Sequence, residues 1–95
     1  MHGYRISAEI TEFGEHVRGW RMVLGLTAQQ VAERAGITRD TLRKIETGNS
    51  GVSFHNVAQA LRAIGQLDQV VASIDPLNTD IGRLRADKLT KKRAR

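Results

Sequence analysis

One short stretch of the chain concentrates polar and charged side chains suited to hydrogen bonding with an extended polar ligand. It carries hydroxyl, carboxylate, guanidinium and ammonium groups, at Thr38, Arg39, Asp40, Thr41, Arg43 and Lys44. Leu42 and Ile45 lie three residues apart and share one helical face, which leaves the polar groups on the other face. Such groups suit base edges and phosphates, and a helix about 13 Å long fits a DNA major groove. A solvated charged face on an ordinary helix is the alternative.

The residues around this stretch predict two short helices joined by a tight turn. The first helix has a hydroxyl cap and an apolar stripe, at Thr27, Val31, Ala32 and Ala35. Gly36 can end it in a left-handed conformation, and Ile37 follows in the turn. Thr38 caps the second helix, which Gly48 ends. This order of helix, glycine, apolar residue and capped helix is typical of a helix-turn-helix motif.

The same residues resemble the Xre/Cro family, the helix-turn-helix of phage-type repressors. The resemblance is carried by glycine, small, apolar and acidic positions at Gly25, Leu26, Thr27, Val31, Ala32, Ala35, Gly36, Ile37, Thr38, Leu42, Ile45, Glu46 and Gly48. It covers roughly residues 13–65. It implies an all-α, five-helix, lambda-repressor-like domain that binds a pseudo-palindromic double-stranded operator as a homodimer and represses transcription.

The resemblance also implies roles for individual side chains. Base reading falls to Arg39, Asp40 and Lys44, with Thr38 beside them. Arg39 or Lys44 can donate to guanine, whereas Asp40 can accept from cytosine N4 or simply stabilise the first helical turn. Phosphate contacts fall at the start of the first helix of the motif, on the second helix and in the loop after it, at Thr27, Gln29, Thr41, Arg43, Asn49 and Ser50. A plain connecting loop is the alternative for residues 49–51.

Two further features follow from comparison with the family pattern. Arg21 and Glu46 occupy positions that many members pair, so we expect an ion pair that fixes the angle of the second helix. Two solvated charges, worth about 0–1 kcal/mol, are the alternative. Ala28 departs from the pattern, because the usual residue there is a glutamine that anchors a phosphate. Gln29 or a backbone N–H must then supply the contact, or the anchor is lost.

A longer helix is predicted before the motif. It begins between Ala8 and Glu12, with Ser7 or Thr11 as its cap, and ends at Gly25. Its apolar positions recur at helical spacing, at Ile10, Phe13, Val17, Trp20 and Leu24. Trp20 is therefore expected in the core or at a dimer contact. Residues 1–7 are expected to be frayed, with a short strand through Tyr4 and Ile6 as the alternative.

Two more helices are predicted after the motif. Ser53 caps the fourth helix, whose apolar side is Phe54, Val57, Ala58, Leu61 and Ile64. The fifth helix ends before Pro76 and has apolar residues at Leu67, Val70, Val71 and Ile74. This is more apolar surface than a last small helix needs. Ordinary core packing is one reading, and the resemblance implies a dimer contact at these residues.

Charge is distributed unevenly over the 95 residues, whose formal net charge is +5. Acidic and basic residues balance up to Pro76, and the basic excess lies in residues 77–95. We therefore predict a helix-turn-helix DNA-binding and dimerisation domain over 1–76 and a basic, flexible tail over 77–95. Within the tail, Thr79 and Asp80 can start a short helix with Ile81 and Leu84 on one side.

The basic tail has three possible uses. It can lie along phosphates or in a minor groove, dock a protein partner, or keep the protein in solution. The segment from Val52 to Pro76 and the tail resemble HipB-type antitoxins, which repress their own operon and neutralise a HipA-like kinase toxin. On that resemblance Ile81 and Leu84 are docking residues. A protein-interaction module with little or no DNA binding is the remaining alternative.

Several kinds of chemistry lack the residues they need. There is no cysteine, and the three histidines, His2, His16 and His55, are far apart, so we expect no metal site and no cofactor. Phosphate-binding loops and nucleophile signatures are absent from the sequence, and we expect no enzymatic activity. No apolar run approaches the roughly 20 residues of a membrane span, and the first residues form no signal core. We expect a cytoplasmic protein without a membrane partner.

Overall fold

The computed structural model describes residues 2–94, and it describes side chains for residues 5–90. This part of the chain forms seven α-helices and one 3-10 turn and contains no strand. Helices α1 to α5 span His2–Val23, Ala28–Ala35, Arg39–Glu46, Phe54–Ala63 and Leu67–Ser73. The 3-10 turn Pro76–Asn78 precedes α6, Asp80–Leu84, and α7, Asp87–Ala94. The predicted all-α class is confirmed, and two helices follow the five that the sequence predicts.

The core lies between the first four helices. Its buried apolar residues are Val17, Val31, Ala32, Ala35, Leu42, Ile45, Ala60, Leu61 and Ile64. Helix α2 packs on α3 and α4, and α1 packs on α3. Phe13, Leu26 and Ile37 are half-buried at the edge of this core. Leu42 and Val31 are fully buried, which fixes α2 and α3 against each other from the inside.

Side-chain caps and one left-handed glycine define the turn between α2 and α3. The hydroxyl of Thr27 accepts from the N–H of Gln30 at 3.0 Å, and the Gln30 side chain accepts from the Thr27 N–H at 2.8 Å. This reciprocal capping box satisfies two donors at the helix start. Gly36 ends α2 with φ 70°, a conformation that is costly for other residues. Thr38 then caps α3 by accepting from the N–H of Thr41 at 3.0 Å.

Helix α1 begins earlier than the sequence predicts. It starts at His2, so Ser7 and Thr11 lie inside the helix rather than at its cap. The frayed segment or short strand expected for residues 1–7 is therefore wrong from His2 onward; the Tyr4 side chain lies outside the described residues. Ile6 precedes Ile10 by four residues, and this spacing extends the helical pattern back to the start of the chain.

Two residues predicted for the core, Leu24 and Phe54, are exposed instead, and so is Trp20, for which the sequence leaves the core and a dimer contact open. Trp20 is 42% exposed in the last turn of α1, and Leu24, just after that helix, is 47% exposed; both lie beyond the buried Val17. Phe54 is 78% exposed because it is the first residue of α4, one turn before the part that packs on α2. Trp20 is partly covered, because it lines a small apolar cavity together with Leu61 and Val70 of α4 and α5.

Residues 76–94, which we call the C-terminal arm, extend away from the core. The sequence predicts a flexible tail with one short helix; the structure has α6 at that place, with the 3-10 turn before it and α7 after it. Asp75 caps the turn and Thr79 caps α6 through their side-chain oxygens. The radius of gyration is 16.3 Å, against about 12 Å for a compact domain of this length. The division into domains 1–76 and 77–95 stays a prediction.

None of the described helices combines the length and the apolar character that crossing a membrane requires. Helix α1 has 22 residues, but glutamates and arginines recur along it.

A buried glycine sets the distance between α1 and α3. A Cβ at Gly14 would fall on the backbone carbonyls of Ile45 and Glu46. Any larger side chain would therefore push α3 away from α1. Gly19, on the same helix, has no neighbouring heavy atom within 4 Å of the position of a Cβ.

We predict that Gly14→Ala lowers the free energy of unfolding by about 1–3 kcal/mol, because the added methyl overpacks the α1–α3 contact. Denaturant unfolding followed by circular dichroism measures this change. Gly19→Ala is the matched control and should raise stability by up to about 1 kcal/mol through helix propensity alone. Equal responses of the two variants would contradict the close α1–α3 contact.

Candidate nucleic-acid interface

Helix α3 has one buried face and one exposed polar face. Leu42 and Ile45 are buried against the core. Four residues that the sequence predicts for base or phosphate contact are exposed on the helix, at Arg39, Asp40, Arg43 and Lys44. Because the buried face fixes rotation about the helix axis, the direction of the exposed side chains is fixed as well.

Asp40 links two of the basic residues on this exposed face. Its carboxylate accepts from Arg43 Nη2 at 2.8 Å and lies 3.3 Å from Lys44 Nζ. The hydrogen bond from Arg43, and then that from Lys44, lowers the pKa of the Asp40 carboxyl below its ordinary value. Asp40 therefore stays ionised at neutral pH and holds two cations beside it. The three side chains are exposed, so the network orients groups more than it stabilises the fold.

The remaining groups on α3 differ in how freely they can meet a ligand. The Thr38 hydroxyl donates to Thr41 Oγ1 at 2.9 Å while it caps the helix, so both hydroxyls already have local partners. Arg39 is exposed and takes part in none of the ion pairs formed among residues 5–90. Arg39 is thus the cation on α3 that is readiest to donate to a ligand.

Arg21 of α1 forms a two-pronged ion pair with Glu46 at the end of α3. The distances are 2.8 Å from Nε to Oε2 and 3.0 Å from Nη2 to Oε1. The two side chains are only 15% and 7% exposed. The hydrogen bond to Glu46 raises the pKa of the Arg21 guanidinium above its ordinary value, and burial partly opposes the shift. Arg21 Nη1 also donates to the Leu26 carbonyl at 3.4 Å, so one side chain joins α1, the following loop and α3.

A cleft of about 420 Å³ runs along one side of α3, beside the start of α2. Its lining includes Ala28, Arg39, Arg43 and the Arg21–Glu46 pair. The single methyl of Ala28 leaves this space open. The cleft brings together three guanidinium groups, and two of them are exposed to solvent.

A polar depression of about 210 Å³ lies on the other side of α3, where the 47–53 loop leads into α4. It joins Thr41, Lys44 and Asn49 with Ser53 and Asn56. Ser50 is exposed but does not line this depression. The Asn49 side-chain oxygen accepts from the Gly51 N–H at 2.7 Å, which leaves its amide nitrogen as the outward donor.

The start of α2 offers mainly backbone donors. The capping box of Thr27 engages the Thr27 and Gln30 side chains. Gln29 donates its amide N–H to Glu33 at 2.8 Å along the helix. The first N–H groups of a helix have no partner within it, so the backbone beside Ala28 is the donor left for an anion.

The residues predicted for dimer or partner contact divide into two groups. Leu67 and Val70 are half-buried against the core. Val71, Ile74, Ile81 and Leu84 are 59%, 80%, 62% and 79% exposed. Val71 lies on α5, Ile74 directly follows it and the other two lie on α6, so uncovered apolar surface continues from the end of α5 into the C-terminal arm.

Sequence reasoning overlooked Gly14 and Asn56. Gly14 positions α3, and its signal was a small residue four positions after Ile10 and three before Val17, within the apolar stripe. Asn56 lines the polar depression because the loop folds back onto the start of α4, which no local pattern indicates. Within the described residues, no three His, Asp or Glu side chains form a group that could hold a metal ion.

Two capped helices joined by a glycine turn, with the second helix exposing a polar face, define a helix-turn-helix unit. Residues 12–74 match the family model described as "Helix-turn-helix domain", and the chain belongs to this family. A relative from Methanothermobacter thermautotrophicus, described as an "Uncharacterized HTH-type transcriptional regulator", is 42% identical over 48 residues. The match covers 47% of this chain and 70% of the relative. No solved structure gives a significant match.

We predict that Arg21→Ala lowers the free energy of unfolding by about 3 kcal/mol, because it leaves the Glu46 carboxylate buried without its partner. Binding to DNA should weaken as well, since α3 loses the contact that holds its end. Thermal melts and fluorescence anisotropy measure the two effects. Arg18→Ala removes an exposed arginine from the same helix and should change neither by more than about 0.5 kcal/mol. If Arg21→Ala melts and binds DNA like the parent, the Arg21–Glu46 pair does not hold α3.

Proposed function

We propose that the protein is a sequence-specific DNA-binding regulator of transcription that places the exposed face of α3 in a major groove. The observation that carries the proposal is the polar face of α3, opposite a face that is fully buried. Membership of the helix-turn-helix family supports it, as does the name of the archaeal relative. We further propose that it acts as a binding protein and not as an enzyme.

Base reading is assigned to the N-terminal part of α3. Arg39 has no ionic partner among residues 5–90, and its guanidinium can donate two bonds to guanine O6 and N7. Asp40 can accept from cytosine N4 while it holds Arg43 and Lys44 in place. Lys44, at the far end of this network, is the second candidate for guanine. Thr38 reaches a base only if it releases its bond to Thr41.

Phosphate contacts are assigned to the two sides of α3. On one side, the backbone N–H groups at the start of α2 replace the side-chain anchor that Ala28 cannot provide, with the Thr27 and Gln29 side chains beside them. On the other side, the polar depression offers Thr41, Lys44 and Asn49 to the opposite strand. Such contacts fix register, whereas base contacts supply specificity.

The decisive experiment compares binding to DNA from the region upstream of the protein's own gene with binding to random DNA, at stated salt. If the proposal is correct, one duplex is bound preferentially and a selected site emerges from a random library. Equal binding to every duplex would contradict sequence-specific regulation. No binding in low salt would contradict DNA binding altogether and would favour the protein-interaction alternative.

We predict that Arg39→Ala weakens binding to the preferred duplex by about 1–3 kcal/mol and relaxes the preference at one position of each half-site. Binding to random DNA should change much less. Arg62→Ala is the control, because Arg62 lies on α4, where it donates to Gln59 at 3.2 Å. An equal loss on preferred and random DNA would indicate that Arg39 contacts a phosphate and not a base.

We propose that the regulator is a homodimer whose two copies contact each other through α5 and that binds a pseudo-palindromic operator through its two α3 helices. Val71 on α5 and Ile74 at its C-terminal end are exposed apolar residues, whereas Leu67 and Val70 of the same helix pack against the core. Their burial against a second copy would place two α3 helices about 34 Å apart, one helical turn of DNA. Repression of transcription is the outcome expected of such an Xre/Cro-like dimer, and the cytoplasm is its expected location.

We predict that Ile74→Lys raises the dimer dissociation constant at least about tenfold, because it places a charge in an apolar contact. Sedimentation equilibrium measures the constant. Gln69→Lys adds the same charge to the other side of α5 and should leave association unchanged. If Ile74→Lys associates like the parent, α5 does not form the dimer contact.

The antitoxin assignment is a second candidate, favoured by the exposed apolar residues of the C-terminal arm. Ile81 and Leu84 are available for a protein partner, which on the HipB resemblance would be a HipA-like kinase toxin. A gene for such a kinase beside this one, and co-purification of the two products, would distinguish an autoregulating antitoxin from a simple repressor.

A further inference from the structure

The C-terminal arm lacks the contacts that short helices need. Helix α6 has five residues and α7 has eight, whereas isolated helices shorter than about 12–15 residues are only marginally stable in water. In the described part of the chain, neither helix packs extensively on α1 to α5. Ile81 and Leu84 lie on one side of α6 and are 62% and 79% exposed. Another surface must therefore cover this side if the arm is to be stable.

Local hydrogen bonds hold the arm in its present direction. Asn78 Nδ2 donates to the carbonyl of Ala72, at the end of α5, at 2.6 Å. Arg83 Nη1 donates to the Leu77 carbonyl at 3.0 Å, and Asp75 accepts from the Leu77 N–H at 2.9 Å. The junction with α5 is thus ordered by side chains, and folding the arm back onto its own core would break the bond from Asn78 to Ala72.

The outer side of α1 is an apolar surface with an acidic border. A depression of about 270 Å³ is lined by Glu15, His16, Gly19, Trp20 and Val23. Val23 is 78% exposed and Trp20 is 42% exposed. The lining is almost entirely apolar, although the depression opens to solvent. We call this surface, with the glutamates described next, the α1 face.

Acidic residues recur along the same helix at a spacing of three. Glu9, Glu12 and Glu15 are exposed, and Glu15 itself lines the apolar depression. Glu12 lies 3.6 Å from His16, which also lines it. Residues 77–95, in contrast, contain seven basic and two acidic side chains. The apolar and charged features of the arm thus complement those of the α1 face.

We propose that the α1 face binds the C-terminal arm of a second copy of the chain. Ile81 and Leu84 of one copy cover the depression around Trp20 and Val23 of the other, and the basic side chains after α6 meet its glutamates. In a two-fold dimer this contact occurs twice, so each copy gives an arm and receives one. The inference rests on the proposed homodimer and adds a second contact to the one through α5.

Charge reversal tests the proposal on the full-length chain. The first variant, Glu12→Lys with Glu15→Lys, reverses two of the glutamates of the α1 face, and the second, Arg85→Glu with Lys88→Glu, reverses the two basic residues that follow α6 most closely; all four side chains are exposed. Each variant alone should dimerise about tenfold more weakly, because like charges then face each other at the substituted positions in both contacts. An equimolar mixture of the two should form heterodimers of near-parental affinity, since both contacts again pair opposite charges.

Sedimentation equilibrium measures the dissociation constants, and native mass spectrometry counts heterodimers. Glu33→Lys, on α2, controls for a changed net charge and should leave dimerisation unaltered.

If both variants dimerise like the parent, the α1 face does not hold the arm, while loss of dimer in Ile74→Lys would still support the contact through α5. A shift in melting temperature without a change in the dimer constant would mean that the arm binds its own chain. Loss of kinase capture alone by the arm variant would assign the arm to a different partner. Each of these results would overturn the proposal.

Discussion

The burial of Glu46 is the constraint on which the placement of α3 depends. Among the described residues it is the one charged residue in the core, and Arg21 satisfies both of its carboxylate oxygens. Bringing two charges out of water is costly, and the attraction between them recovers that cost only in good geometry. An apolar pair of similar volume could be equally stable. It would not bond the Leu26 carbonyl, however, so it would not tie the loop before α2 to the end of α3.

Gly14 allows this ion pair to form. Because it has no side chain, α1 can approach the backbone carbonyls at the end of α3. The approach brings Arg21, two turns further along α1, within reach of Glu46. Gly14, which has no side chain, and Arg21, which has a long, planar, charged one, therefore both fix the position of α3. Rigid placement matters here, because a reading side chain displaced by an ångström no longer meets a base edge.

Local signals in the sequence were sufficient to predict α2, α3 and their turn. Thr27, Gly36 and Thr38 act within one helical turn of themselves, so their effect does not depend on the rest of the fold. The positions that failed depend on tertiary contacts. Leu24 and Phe54 lie on apolar stripes, but the stripe alone does not show where the neighbouring helix ends. The order of the C-terminal arm rests on bonds such as Asn78 to Ala72, which composition does not indicate.

If α3 reads bases as proposed, the negative charge of Asp40 has a role in discrimination. A helix carrying only Arg39, Arg43 and Lys44 would be attracted to any duplex through its phosphates. Asp40 opposes that attraction and is compensated only where the groove offers a donor, such as cytosine N4. Its bonds to Arg43 and Lys44 also restrict where these cations can reach. Specificity then comes partly from an unfavourable contact with the wrong sequence.

Salt should act on this protein at two levels if the arm binds a second copy. Phosphate contacts weaken as salt rises, because the counterions released on binding enter a more concentrated solution and their release is less favourable. The contact between the basic arm and Glu12 and Glu15 is exposed, so it weakens as well. Only the dimer presents two α3 helices to an operator, and a loss of dimer therefore reduces operator binding by mass action. At low protein concentration, the affinity for the operator would fall with salt more steeply than the phosphate contacts alone require. This excess would disappear at concentrations at which all of the protein is dimeric.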